Sequence, residues 1–261
     1  TAGGIPLVFL FLVRLFERER WSDLAWLWLF TVLQMLANGY YAVYLAFFVS
    51  TTIAYHVLTA GKLRDPRFVK MLAVFALGVA LATGPFIYQY VAFQQEMGFQ
   101  RIVSSHAEIS SFVSAPWYNR LYGGWLPDRP EARLFPGFIA VVLAAFGIVW
   151  TFRSGRPDAT NAKFDFSLSN PRRWFFFFLA IFVFSVLASF GTSIPGPYHL
   201  LFDYVPGFNG LRSAARIHIM TLNSLAVLAA FGVAGLRTGS QRLWLRRVAA
   251  VGIPSLLLVE Y

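Results

Sequence analysis

The stretch LAWLWLFTVLQMLANGYYAVYLAFFVSTTIAYHVL, residues 24–58, decides the fold class. It holds no Asp, Glu, Lys or Arg. A bilayer's hydrocarbon core takes about 20 residues of helix, so this run is too long for one crossing. Asn38-Gly39-Tyr40 in its middle is a turn signal, and residues 22–38 and 41–59 therefore read as two helices of a hairpin. Working outward, further apolar segments cover 2–16 (partial), 69–90, 135–152, 174–191, 214–236 and 248–261 (partial). Most are slightly short of 20 residues, which tilt or local thinning accommodates. The expected fold is all-α: one polytopic transmembrane helical bundle over 1–261, with about eight spans of which the first and last are partial.

Composition agrees. Hydrophobic residues make up 57% of the 261, charged residues 13%, and mean hydropathy is +0.59. A soluble domain carries about a quarter charged residues. The alternating ten-residue segments of an outer-membrane barrel are absent. The chain opens at Thr1 without Met, shows no signal peptide and stops at Tyr261 inside an apolar run. These ends read as those of an internal fragment. Cysteine is absent, which removes disulfides and thiolate metal sites.

The formal net charge of +10 does not point to nucleic acid, because basic residues lie between apolar spans rather than on one patch. Alternating the connections divides the 22 basic residues. RLFERER, GKLRDPRFVK, the 153–173 loop and RTGSQRLWLRR hold 16 of them. The NGYY turn, the 91–134 loop and the 191–213 loop with its junction hold the other six. The positive-inside rule makes the first set cytoplasmic. The two larger loops, 91–134 and 191–213, then face away from the cytoplasm. Residues 153–173 read as a polar linker. Within the 91–134 loop, residues 98–113 place Ile102, Val103, Ala107, Ile109 and Val113 among polar positions, which predicts a short amphipathic helix on the bilayer surface.

Two basic residues break the charge rule in PGFNGLRSAAR, 206–216. A helix starting near Asn209 or Gly210 would put Arg212 and Arg216 on one face. Guanidinium groups bind phosphate in a fork and stay charged at membrane depth. A clamp for the phosphate of a lipid-linked ligand is one reading. Snorkelling to headgroups, or pairing with Asp203, is the other. His199 and Asp203 are also four apart, in GPYHLLFDYVPGF; a structural hydrogen bond suits them better than a metal or a proton relay.

In the larger loop, Glu96, Arg101, His106 and Glu108 are the titratable cluster. His106 and Glu108 are two apart and would diverge on a helix, so a solvated face fits better than a catalytic pair. Trp117, Tyr118, Asn119 and Arg120 lie near a span. Their aromatics suit interfacial anchoring, or stacking on a sugar or an isoprenoid chain. Gln34 and His56 are the polar residues inside spans; His56 sits close to a cytoplasmic end, where capping or snorkelling is the plainer role. P-loop, HExxH and GxSxG motifs are missing.

The PGF-x-x-LR-x-x-AR signature leads into an Ala/Leu-rich span, PGFNGLRSAARIHIMTLNSLAVLAAFGVAGL. QMLANGYYAVYLAFF, SFVSAPWYNRLYGGW and LFPGFIAVVLAAFG precede it. Together these resemble the bacterial membrane proteins of the GT-C glycosyltransferase superfold, over nearly the whole chain. The resemblance implies a multi-helix inner-membrane enzyme that takes a sugar from a polyprenyl-phosphate donor at the non-cytoplasmic face. It implies a catalytic acidic residue in a first outer loop, which would lie upstream of Thr1, so no catalytic residue is assigned in this chain. Arg212 and Arg216 match, by position, the basic residues that hold the donor phosphate; Tyr118, Asn119 and Arg120 match by loop position alone. No cofactor is identifiable and no residue is assigned to a metal, although the resemblance leaves room for a divalent ion. The expected partners are the bilayer and a polyprenyl-phosphate-linked sugar. Two other functions stay open: a transporter or flippase of a lipid-linked or amphipathic solute, and a non-catalytic membrane assembly protein. A transporter of this kind is expected to show inverted repeats and helices broken at the midplane, and no clear repeat is visible.

Overall fold

The computed structural model describes residues 3–97, 105–119, 121–129, 132–153, 171–192, 195–239 and 252–260. The chain divides into two compact units, 1–102 with 206–211, and 103–205 with 212–261. Helices dominate the described residues, and the only β pairing among them is an isolated bridge.

The first unit holds α1 (Gly4–Arg18), α2 (Trp21–Ala37), α3 (Gly39–Ala60) and α4 (Pro66–Glu96). α2 touches all three of the others. Along α1, Ile5, Val8, Leu12 and Leu15 recur at helical spacing and are buried, as an amphipathic stripe requires. The predicted hairpin is present. Asn38 separates α2 from α3 in an extended conformation, and its Oδ1 accepts the Tyr40 and Tyr41 amides at 2.9 and 3.4 Å. Those amides open α3 without an intrahelical partner, so the side chain caps the helix. Asp65 does the same for α4, followed by Pro66 at the first helical position.

The polar residues within the spans have structural partners. Gln34 is buried and its Oε1 accepts the Gly4 amide at 3.0 Å, closing the start of α1. His56 stacks flat on Phe16 with ring centroids 4.0 Å apart and leans on Phe68. Residues 206–211 fold into this unit too. Phe208 is fully buried against Tyr44 and Phe47 of α3. Gly207 precedes it at φ +91°, where a side chain would be strained and would press on Val43.

The second unit holds α5 (Phe138–Arg153), α6 (Pro171–Ser189), α7 (Pro197–Tyr204), α8 (His218–Gly239) and α9 (Ile253–Glu260). Its centre is the packing of α8 on α5 and α6. Leu143, Ala144, Phe175, Leu225, Leu228 and Ala229 form that core. Gly147 and Gly232 let the α5 and α8 backbones touch: a Cβ on Gly232 would stand 2.0 Å from the Leu143 carbonyl oxygen. Small residues at such a seam are how helices associate where lipid supplies no hydrophobic drive. Thr221 of α8 donates to Ser185 of α6 at 2.9 Å, and Ser185 passes its own proton back to the Ile181 carbonyl at 2.7 Å.

Among the described residues, four helical stretches are long and apolar enough to cross a membrane: Gly39–Ala60, Pro66–Phe93, Pro171–Ser189 and Ala214–Arg237. Phe138–Arg153 is apolar but shorter. α4 exposes Leu77, Leu81, Phe86, Ile87, Tyr88 and Phe93, an apolar surface that a soluble chain does not leave bare but lipid covers. The 153–173 linker falls, apart from its ends, outside the described residues.

Candidate functional site

The segment carrying Arg212 and Arg216 is built differently from the expected helix. Gly207 turns the chain, Phe208–Gly210 makes one 3-10 turn, and Leu211 and Ser213 are extended. Ala214–Ile217 makes a second 3-10 turn, and the α-helix begins only at His218. The i, i+4 argument for a shared helical face therefore does not hold.

A different constraint orients the pair. Ser213, Ala214, Ala215 and Ile217 are buried while Arg212 and Arg216 are exposed. The buried strip fixes both guanidinium-bearing residues as outward projections of the second unit. A long-range backbone ladder holds the strip. The Ser105 amide donates to the Arg212 carbonyl at 3.4 Å, and the Ala214 amide donates to the Ser105 carbonyl at 2.9 Å, forming a parallel bridge. Ala107 then donates to the Ser189 carbonyl at the end of α6 at 2.8 Å. Ala107, Leu134 and Ala215 pack together beneath Phe112 and Phe190. The segment around Ser105 and Ala107 and the arginine strip are thus one stitched layer.

The amphipathic helix expected over 98–113 is corrected on its described part. Ser105–Glu108 runs extended, because it supplies the bridge, and Ile109–Val113 is a 3-10 turn. Residues 98–104, Arg101 among them, lie outside the described residues, as does Arg120.

His106 follows Ser105 directly, and Glu108 caps the Ile109–Val113 turn. Glu108 pairs with Arg129 and accepts from Ser110 Oγ at 3.3 Å. Its amide donates to Ser111 Oγ at 3.0 Å. The Arg129 guanidinium holds the Glu108 carboxyl below the usual carboxylate range, with the Ser110 hydroxyl adding to the effect. An ionised, ion-paired carboxylate is a poor general base at neutral pH. Asp128 is likewise held low, chiefly by Arg133, whose Nε and Nη2 meet its two oxygens at 2.6 and 3.0 Å.

Tyr118 is exposed, with the Arg133 guanidinium 5.9 Å from its ring centre. Asn119 is occupied otherwise. Its Oδ1 accepts the Leu121 and Tyr122 amides at 3.0 and 2.9 Å, an Asx turn, while its Nδ2 donates to the Glu260 carbonyl at 3.1 Å. His199 and Asp203 sit on α7, which packs on α6 through the buried Tyr198 and Leu201. Among the described residues no group of three or more His, Asp or Glu side chains is placed to hold a metal.

Two buried groups escaped the sequence reading. Glu260, at the end of α9, is 2% exposed. Its carboxylate accepts the Tyr122 hydroxyl at 2.6 Å and the Ile139 amide at 3.2 and 3.3 Å, so it both clasps the loop at Tyr122 and caps α5. An acidic residue inside an apolar run was the available signal, because such residues are paired as a rule. His218, buried against Phe112 in a T-shaped ring contact, was hidden in the apolar run RIHIM.

The chain matches no family model, and no curated protein and no solved structure is similar to it.

Proposed function

We propose that this chain belongs to a GT-C-like integral membrane glycosyltransferase of the bacterial inner membrane, drawing on a lipid-phosphate-linked sugar at the non-cytoplasmic face. The observation that carries the reading is the arginine strip. Two exposed guanidinium-bearing residues project from a backbone that is otherwise buried and is bridged to the outer loop at Ser105. Such a strip presents positive charge on a rigid frame, which is what binding a phosphate leaving group asks of a protein. The side of the membrane follows from the 16-to-six division of basic residues. Tyr118, exposed in the same loop, is the aromatic assigned to a sugar or isoprenoid chain. Asn119 is not, since both ends of its amide are taken up by structure. Glu108, locked to Arg129, supports no role as base, and the catalytic acid or base is left unassigned.

The test is transfer by the full-length protein in proteoliposomes with polyprenyl-phosphate sugars, comparing wild type with Arg212→Ala and Arg216→Ala. Hydrogen bonds to charged groups contribute about 1.5–3 kcal/mol. Solvent exposure puts each arginine at the low end, so donor KM should rise about tenfold per substitution. Unchanged transfer in both variants removes the clamp. Absence of transfer by wild type with any such donor removes the enzyme reading.

A further inference from the structure

The outer loop carries an aromatic surface of which the proposed ligand site takes at most Tyr118. Trp125 is 87% exposed, Trp117 71%, Tyr118 63% and Leu121 43%. These side chains are held out by a rigid frame. Ala115 donates to the Pro127 carbonyl at 3.1 Å, Trp117 to Asp128 Oδ2 at 3.2 Å, and Trp125 and Leu126 both to the Tyr122 carbonyl at 2.9 Å. Gly123 lies so close beneath that a Cβ there would be 2.1 Å from the Trp117 carbonyl oxygen. A loop this tightly wound could have turned its indoles inward, and it does not.

We propose that Trp117, Tyr118, Leu121 and Trp125 form a tip seated in the interfacial layer of the lipid bilayer, beside the start of α5. Three observations converge on lipid as the occupant. First, α5 is apolar from its first turn at Phe138, so its start belongs near the edge of the hydrocarbon layer. Second, the loop is joined to the outer end of that helix. Tyr122 packs edge-on against Phe135 and Phe138 at 5.2 and 5.3 Å, and its hydroxyl shares the Glu260 carboxylate with the Ile139 amide. The tip is therefore held beside the first turn of α5. Third, the described charges of the loop are paired off, Asp128 with Arg133 and Glu108 with Arg129, while its aromatics are left open. Paired charges lose less on approaching headgroups than lone ones. Trp and Tyr favour this layer because each ring has an apolar body and a polar edge.

The chain has no cysteine, so a single introduced thiol can be labelled uniquely. Trp125→Cys, Leu121→Cys and, as a water-facing reference, Arg64→Cys are each labelled with bimane in the full chain and placed in phosphatidylcholine nanodiscs. The expected result is that labels at 125 and 121 are quenched by lipids brominated near the headgroup. They should also be shielded from aqueous iodide severalfold relative to the label at 64. Because the protein itself leaves position 125 open, shielding there has to come from lipid. Iodide quenching equal to that at position 64, with no effect of brominated lipid, overturns the proposal. So does shielding that arises only after polyprenyl phosphate is added, which would make the tip a cover for ligand. Leu121→Cys keeps both indoles, so a folding failure of Trp125→Cys leaves the question answerable.

Discussion

Gly232→Ala should part α5 from α8. The added Cβ would lie 2.0 Å from the Leu143 carbonyl oxygen, 2.9 Å from its carbon and 3.3 Å from the Gly147 nitrogen. All three are backbone atoms, so no side-chain rotation relieves the clash. Carbon–oxygen contacts below 3.0 Å are essentially never seen, so the helices must move apart by at least the missing 1 Å or so. A gap of 0.5–1 Å already forfeits about a quarter to a half of each dispersion contact across the seam. Leu143, Ala144, Leu228 and Ala229 all meet there. Overpacking of this kind costs about 1–3 kcal/mol, and the upper end is expected because the obstacle is main chain. The assay is SDS-titrated unfolding in mixed micelles, with Gly39→Ala as control, since a Cβ on Gly39 meets nothing within 4 Å. Gly147→Ala should behave alike, as its Cβ would stand 2.6 Å from the Leu228 oxygen. The double variant should cost less than the sum, because helices already parted have room for the second methyl. A Gly232→Ala protein as stable as the Gly39→Ala control would refute the close seam and with it the arrangement of the second unit's core.

Glu260→Ala should leave the Tyr122 hydroxyl and the Ile139 amide without their acceptor, at about 3 kcal/mol, and make the 115–129 loop sensitive to protease; Glu260→Gln, which keeps the shape, should lose less. If Glu260→Ala and wild type are cut at equal rates, the clasp is not structural. The loop should also loosen in acid. The folded-state values of Glu108 and Asp128 are depressed by Arg129 and Arg133, so their pairing stabilises fully above the ordinary carboxylate range of about 4 and is lost as pH falls below it. Acrylamide quenching of tryptophan should therefore be flat from neutral pH to about 5 and rise below about 4. A transition near neutrality would point to a different group. Thr221→Val should cost only about 0.6 kcal/mol in the same SDS titration, the mean for hydrogen bonds between membrane helices, because Ser185 keeps the Ile181 carbonyl as acceptor. A loss several times larger would mean the pair belongs to a wider polar network.

Local signals were enough wherever the structure is local. Asn38-Gly39 marked a hairpin because the asparagine caps the helix it precedes. Each apolar segment contains a described helix, although the last is described only over Ile253–Glu260 and, among the described residues, four helical stretches meet the length for a crossing. Periodicity failed where a distant partner set the backbone. Residues 209–217 carry a helical pattern of small and apolar residues, yet the bridge to Ser105 draws Ser213 into extended conformation and delays α8 to His218. The same bridge accounts for the missing amphipathic helix at 105–113. One long-range contact overrode two local readings.

Asn119 makes the general point about sites. In the sequence it stands between Tyr118 and Arg120 beside a span, which is where a ligand-binding amide would stand. Its carboxamide oxygen is used within three residues, as local turn chemistry could foretell. Its nitrogen is used 141 residues away, on the carbonyl of Glu260, and nothing near Asn119 announces that. Arg212 and Arg216 differ in kind. Both are exposed on a segment whose neighbours Ser213, Ala214, Ala215 and Ile217 are buried. The residues worth mutating for function are therefore those whose outward position the fold enforces. The polar residues it draws inward, Asn119, Gln34 and Glu260, are those whose loss should register as stability.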